Sequence, residues 1–464
     1  MSVRFLFDPD GSYGNVYREQ GADLAFIAGL LGIALTDPRF PFMIDYAAEQ
    51  GLEVSFSREP LPGAEHPNTV VIDCVASDGS TLSVTAESIG GGSVEITRLG
   101  DWPLQINGCY HDVVVETEAG REVDILALLA PEDNETIEIA QLARDGLSLL
   151  HSRRFTSLGR DLTDQIRSLP GVREVWSSEP IFHVQRGLPI FTDAAAMAAM
   201  AIDRHITLGA LALEYESVLL GLPRDEVLAE ITTRLQVMEQ SVIEGLASDP
   251  PSMQLLRPSA GRIIDAEAEG RLAVGGVHTR AAARALAVMH VNAGMGVVCA
   301  APTAGSAGVI PAVISTLREE MGLSDKEAAL ALLAAGAIGV ITAVRATFAA
   351  EVAGCQVEIG AAGAMAAAAV VEVAGGNAQQ AADAAAISYQ NTMGSVCDLV
   401  QGMVEIPCHT RNASAASGAF VCADLILGGY ENPIPLDETI DAVYDTGRML
   451  PSQLRCTALG GLAL

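Results

Sequence analysis

From about residue 192 onward the chain is written mostly in Ala, Gly, Leu, Val and Ile at helical spacing, and this half restricts the fold more than any other feature. Segments with a helical apolar period recur at 192–220, 224–245, 277–297, 309–321, 325–350, 361–374, 377–392, 412–427 and 437–449. No β alternation of comparable length interrupts them. Half the chain is apolar but only 5% is aromatic, so these helices must pack closely through small side chains. Asp225, Ser324 and Asp437 suit helix N-caps, and Pro223 and Pro311 stand near helix starts. The longest apolar run, 328–344, is short for a bilayer crossing, and its Ala-Ala and Ala-Gly pairs suit a buried helix. The expectation is an all-helical domain over 190–464 whose short loops carry the Gly, Pro and Cys residues.

Residues 1–185 read differently. Strand-like runs at 69–75 and 81–85 flank the turn Ala76-Ser77-Asp78-Gly79-Ser80, and further strands fall at 111–117 and 172–176. Helices are expected at about 138–150 and 156–168. This alternation suits a small domain with one sheet, joined to the helical part by Gln185-Arg186-Gly187-Leu188-Pro189. The fold class is therefore α+β: a small N-terminal α+β domain followed by an all-helical domain.

Lys and Arg number 27 against 58 Asp and Glu, a formal charge of −31. Such a surface repels phosphate backbones and anionic lipid, so neither nucleic acid nor membrane is expected as a partner. The start Met1-Ser2-Val3-Arg4-Phe5-Leu6-Phe7-Asp8-Pro9 lacks the basic and apolar regions of a secretion signal. A freely diffusing cytoplasmic enzyme fits this balance. The eight cysteines are too dilute for a disulfide framework, and in the cytosol they would stay reduced and open to metals.

Three of those cysteines, Cys355, Cys397 and Cys408, lie among Gly and Pro residues, where the backbone can turn to aim a sulfur. Three thiolates without an obvious fourth suggest an iron–sulfur cluster with one iron open to substrate as a Lewis acid. Forty-one residues separate the first pair and ten the second, unlike the compact runs of ferredoxins, so spacing alone suits buried structural cysteines equally. A second constellation is the glycine loop Cys299-Ala300-Ala301-Pro302-Thr303-Ala304-Gly305-Ser306-Ala307-Gly308, leading into a helix at Val309. Converging N–H groups, a helix N-terminus and the hydroxyls of Thr303 and Ser306 can hold a carboxylate or phosphate. A tight interhelical turn explains the loop as well. No Lys follows the glycines, so it is not a Walker loop.

Residues from about 286 to the end resemble the α-chain catalytic domain of the iron–sulfur-dependent L-serine dehydratases. The resemblance runs in order over about 170 residues, through Val291-Asn292-Ala293-Gly294-Met295-Gly296, the loop 301–308, Gly354-Cys355-Gln356, Gly363-Ala364-Met365-Ala366-Ala367-Ala368, Val404-Glu405-Ile406-Pro407-Cys408, Arg411-Asn412, Leu454-Arg455 and Gly460-Gly461-Leu462-Ala463. His66-Pro67-Asn68-Thr69 and Ser88-Ile89-Gly90-Gly91-Gly92 look like that family's β-chain region, so the chain reads as a β–α fusion. The resemblance implies a 4Fe–4S cluster held by Cys355, Cys397 and Cys408. It implies β-elimination of water from a hydroxy amino acid to a 2-oxo acid and ammonia, with homodimers as the expected assembly. The substrate would be gripped by Asn292, Pro302, Thr303, Ala304, Gly305, Ser306, Arg411, Asn412 and Arg455. His290, His409 and Glu358 are the candidates for moving protons, with Glu405 close by. A core histidine satisfied by hydrogen bonds is the competing reading of both histidines.

The departures concentrate around the substrate. Gly11-Ser12-Tyr13-Gly14-Asn15 stands where the family carries a serine-rich motif ending in His-Thr. The segment before the first ligand, 345–353, carries a bulky Phe348. Met289-His290 replaces a usual Asn-Glu, Leu399 a usual Pro, and Pro258-Ser259-Ala260-Gly261 a Gly-Gly-Asp type segment. Cys456 follows Arg455 where an acidic residue is usual, which makes it a candidate fourth metal ligand. This pattern keeps the metal site and alters the substrate shell, as a relative acting on a different small amino or hydroxy acid, or a non-catalytic amino-acid-binding regulator, would.

Overall fold

The computed structural model describes residues 1–130 and 135–464. The chain opens with β1 (Ser2–Phe7), followed by the short helices α1 (Tyr13–Val16), α2 (Ala22–Leu30) and α3 (Met43–Glu49). Then come β2 (Glu53–Arg58), β3 (Thr69–Val75), β4 (Thr81–Gly90), β5 (Ser93–Leu99) and β6 (Trp102–Ile106). These strands form one sheet in the order β2-β1-β3-β4-β5-β6. Only β1 and β2 pair in parallel. Aromatic rings fasten α1 and α2 to this sheet: Phe5 stacks on Phe26 and Phe7 on Tyr17, each at 4.8 Å between centroids.

The expected single sheet is in fact two. β7 (His111–Glu118), α4 (Glu122–Leu129), β8 (Thr136–Arg144), β9 (Leu147–Arg154), α5 (Arg160–Arg167) and β10 (Val172–Ser178) build a second, antiparallel sheet in the order β10-β7-β9-β8. The helix expected at about 138–150 is the β8–β9 hairpin. Asp145 and Gly146 both adopt positive φ (50° and 79°), the geometry of a two-residue hairpin turn. Leu99, Trp102 and Ile106 of the first sheet pack on Val114 and Leu149 of the second, and the Trp102 indole donates to Glu116 at 2.6 Å.

Beyond an irregular stretch around 179–193, regular structure is helical: α6 (Ala194–Asp203), α7 (Leu208–Leu220), α8 (Arg224–Leu246), α9 (Ala260–Ala268), α10 (Val277–Ala293), α11 (Val309–Met321), α12 (Asp325–Arg345), α13 (Ala350–Ala353), α14 (Ile359–Val373), α15 (Ala378–Thr392), α16 (Cys408–Leu427) and α17 (Leu436–Arg448). The helix expected over 192–220 is two, bent by 108°, with His205 at φ 52° between them. Helix α9 was not foreseen, and α16 begins at Cys408, four residues before the expected start. α14 is buried along nearly its whole length, with α11, α12, α15 and α16 packed around it. Its Ala and Gly residues permit that crowding.

α12 and the stretch Cys355–Val373 are long and apolar enough to cross a membrane, yet 67% and 83% of their most apolar windows are buried inside the protein. Ser324 caps α12 in a reciprocal box with Glu327, as expected. Asp437 instead sits in the first turn of α17, and its carboxylate accepts from the N–H groups of Ala194 and Ala195 at 2.9 and 3.1 Å, capping α6.

Candidate metal centre and its cavity

Four cysteines converge where the helical part meets the first sheet. Cys355, Cys397, Cys408 and Cys456 are 0, 1, 2 and 5% exposed, all free, and packed in one cluster with Met289, Ala350, Ile359 and Leu399. Each reaches it by a different backbone device. Cys355 opens a 3₁₀ turn after Gly354, where φ is 75° and a Cβ would lie 2.7 Å from the Ser395 carbonyl oxygen, leaving no room for a side chain. Cys408 is the first residue of α16, where the helix dipole favours a thiolate. Cys397 lies in an extended segment whose N–H donates to the Leu454 carbonyl at 2.8 Å. Its own carbonyl accepts from the Cys456 N–H at 3.0 Å. Cys456 adopts φ 59°, its carbonyl accepting from the Ser12 hydroxyl at 2.5 Å and its sulfur from the Gln20 amide at 3.4 Å.

One carboxylate oxygen of Glu358 and the sulfurs of Cys355 and Cys397 lie within 4.8 Å of one another, a group that could hold a metal ion. Hydrogen bonding to the sulfurs of Cys355 and Cys456, with burial, raises the Cys397 thiol well above the usual range; burial and neighbouring Cys355 do the same to Cys408. So many sulfurs in one dry place resist ionisation unless a cation joins them, as a bound metal would. Arg411 adds one fixed charge. It donates to the Cys355 sulfur (3.5 Å), the Val396 carbonyl (2.6 Å) and Asp398 (2.9 Å). The donor set is soft, buried and partly neutralised, and it fits an iron–sulfur cluster.

A cavity of about 290 Å³ opens on the cysteines. It is lined by Cys397, Cys408 and Cys456, by Asn292 and Thr303-Ala304-Gly305, and by Tyr13, Asn68, Ser88 and Gly90-Gly91-Gly92 of the N-terminal region. Glu351 and Glu358 line it as well. Thr303 donates its hydroxyl to Glu358 at 2.5 Å. Burial lifts the Glu358 carboxyl to about 7 despite that bond, with the Glu351 charge adding to the rise.

The other expected site residues lie around the cavity and outside its lining. Asn412 clamps the glycine loop, accepting from the Gly308 N–H at 3.1 Å and donating to the carbonyls of Gly305 (2.8 Å) and Cys408 (2.9 Å). Ser306, fully buried, closes a capping box with Thr303. Pro302 joins Ala301 through a cis peptide and touches the Gly91 turn. Arg455 donates to the Val352 carbonyl at 3.0 Å, and Arg411 faces a second cavity that reaches Cys355 from behind. His290 and His409 stack at 5.5 Å, buried and 1% exposed, away from the lining. Burial and the neighbouring His290 push His409 down to about 4. Glu405 is fully buried and accepts from three backbone N–H groups, Gln254, Leu255 and Leu256, at 2.7–2.9 Å, so it holds a loop.

Sequence reasoning missed Glu351, Asn68 and Tyr13 as cavity residues. Glu351 had a local signal: it stands one helical turn before Cys355. Tyr13 lies in the segment already marked as a departure, but nothing local places Asn68 near a cysteine.

Comparison with known proteins bears on this geometry. The family profile "Serine dehydratase alpha chain" matches residues 121–463. The probable L-serine dehydratase alpha chain of Bacillus subtilis (strain 168) is 36% identical over 274 residues, covering 59% of this chain and 91% of the relative. The L-serine dehydratase alpha chain of Peptoniphilus asaccharolyticus is 38% identical over 262 residues, 56% of this chain and 90% of the relative. A probable alpha chain from Latilactobacillus sakei is 47% identical over 180 residues, 39% and 86% of the two chains.

Proposed function

The chain belongs to the serine dehydratase alpha chain family, and on that premise we propose that it is a cytosolic iron–sulfur-dependent lyase that eliminates water from L-serine or a related hydroxy amino acid. The observation that carries the reading is the set of four buried, free cysteines packed in one cluster, three of which line a cavity that also holds Glu358. Cys355, Cys397 and Cys408 would hold a 4Fe–4S cluster, with Cys456 as a fourth, displaceable ligand. Once bound, the cluster supplies a Lewis-acidic iron that makes a substrate hydroxyl a better leaving group.

The chain's own residues do the rest. Glu358 lines the cavity and accepts the α-proton at its carboxylate, which Thr303 orients. The Cα–H electron pair becomes the Cα–Cβ double bond as the Cβ–O bond breaks, and the departing hydroxide takes up the proton held by Glu358 to become water. The enamine then tautomerises and hydrolyses to a 2-oxo acid and ammonia, with no net oxidation. Asn412 keeps the glycine loop in place while Thr303 and Asn292 orient the substrate. His290 and His409 support the wall behind Cys408 and need no proton role in this scheme.

The altered lining supports a second reading, elimination from a related hydroxy amino acid with serine as the poorer substrate: Tyr13 and Phe348 reach a cavity where the family carries small polar residues. Release of ammonia and 2-oxo acid, measured anaerobically across a panel of hydroxy amino acids, tests both. Turnover of serine or of another panel member supports the corresponding reading. Turnover of none by protein that carries iron contradicts the lyase assignment.

A further inference from the structure

Two acceptors, Asn68 and Glu351, line the cavity. Asn68 is 2% exposed. Its N–H donates to His66 Nδ1 at 3.1 Å, and its carbonyl accepts from the Ser88 N–H at 3.4 Å, which fixes the residue against the sheet. Burial raises the Glu351 carboxyl, a rise partly offset by the side chain of nearby Asn68. Its Oδ1 has no hydrogen-bond partner among the described residues, although Asn68 lines the cavity. A buried carbonyl oxygen without a donor is costly, and a carboxylate beside it doubles the demand for one. Among the described residues the lining holds Glu19, Glu351 and Glu358 and no Arg, Lys or His. The group that these acceptors suit is a cation with several N–H donors.

We propose that Asn68 Oδ1 and the Glu351 carboxylate form a specificity pair that receives the substrate's ammonium group, so that the cavity selects small hydroxy amines over the corresponding hydroxy acids. The pair rests on the reading that this cavity is the reaction site, but it makes its own demand on binding. An ammonium satisfies both acceptors through charge-assisted hydrogen bonds, whereas a hydroxyl in its place offers one weaker donor. A dicarboxylate would add charge to a wall already anionic.

Calorimetric titration of the anaerobically reconstituted chain with three probes tests this: L-serine, ethanolamine (amine without carboxylate) and glycerate (hydroxyl in place of amine). L-serine and ethanolamine should bind, and glycerate should bind at least about tenfold more weakly, the worth of one charge-assisted bond. Glu351→Gln and Asn68→Leu should each weaken both amines by about tenfold or more while leaving glycerate affinity and the visible cluster spectrum unchanged. Asn68→Asp, which adds an acceptor charge, should retain amine binding. Wild-type affinity for L-serine in Glu351→Gln, or glycerate binding as tight as serine, overturns the pair. Amine binding that is lost in Glu351→Gln, in a chain that turns over no amino acid, overturns the lyase reading and leaves the pair standing. Serine turnover at unchanged KM in Glu351→Gln does the reverse.

Discussion

Carboxylates with the same pKa in water have been given different work by what surrounds each one. Glu358 faces a cavity and a hydroxyl donor; Glu405 faces three backbone N–H groups and no cavity. Glu358→Gln removes a proton acceptor and little packing, so kcat should fall by about 10²–10⁴-fold while iron content and visible spectrum stay as in the wild type. Glu405→Gln sets an amide N–H against backbone donors and should cost roughly 2–4 kcal/mol of stability, read as a lowered urea midpoint, with little direct effect on chemistry. At this scale the sequence was informative where chemistry is local. Cys355, Cys397, Cys408 and Cys456 stood out through the family resemblance of their motifs and Glu358 through its nearness to Cys355, and the structure brings them together. Glu405 looked equally chemical in sequence, because nothing in a motif tells whether a carboxylate meets solvent, substrate or backbone amides. Asn68 was out of reach for a related reason: its partner Glu351 lies far along the chain, and only the tertiary fold joins them.

Among the elements, α16 joins the cysteine cluster to the glycine loop. Cys408 begins it, and Asn412, one turn on, pins the glycine loop through Gly305 and Gly308. Asn412→Leu should therefore loosen the loop without removing a ligand, raising KM by roughly tenfold, the equivalent of one lost buried hydrogen bond, at wild-type iron content. Most helices were legible because apolar spacing and caps such as Ser324 agree. The errors fell where local signals conflicted. Residues 138–150 hold good helix formers, yet Asp145-Gly146 supplies the positive-φ pair of a hairpin turn, and pairing of β9 with β7 decides the outcome. Likewise the periodicity over 192–220 is continuous, but the chain turns sharply at 204–207.

At the scale of the whole molecule, the cavity exists because the first sheet is docked on the segment before Cys355. Gly90, at φ 92°, brings the β4–β5 turn so close that a Cβ there would lie 2.5 Å from the Ala349 backbone nitrogen. Gly90→Val should push the two parts apart and weaken serine binding by about tenfold or more, while the cysteines, all in the helical part, keep their iron. The two-part plan was legible from the change in composition near 190. The second sheet was not, since the strand signal of 136–154 was masked by helix-forming residues. The central claim is that these cysteines hold a cluster on which elimination depends. Iron and acid-labile sulfide analysis of anaerobically purified and reconstituted chain, run beside Cys397→Ala, tests it most directly. About four iron and four sulfide per chain are predicted for the wild type, with ammonia release from a hydroxy amino acid, and both are lost in the variant. A wild-type chain that takes up no iron, or a Cys397→Ala chain that keeps both cluster and turnover, would contradict the account.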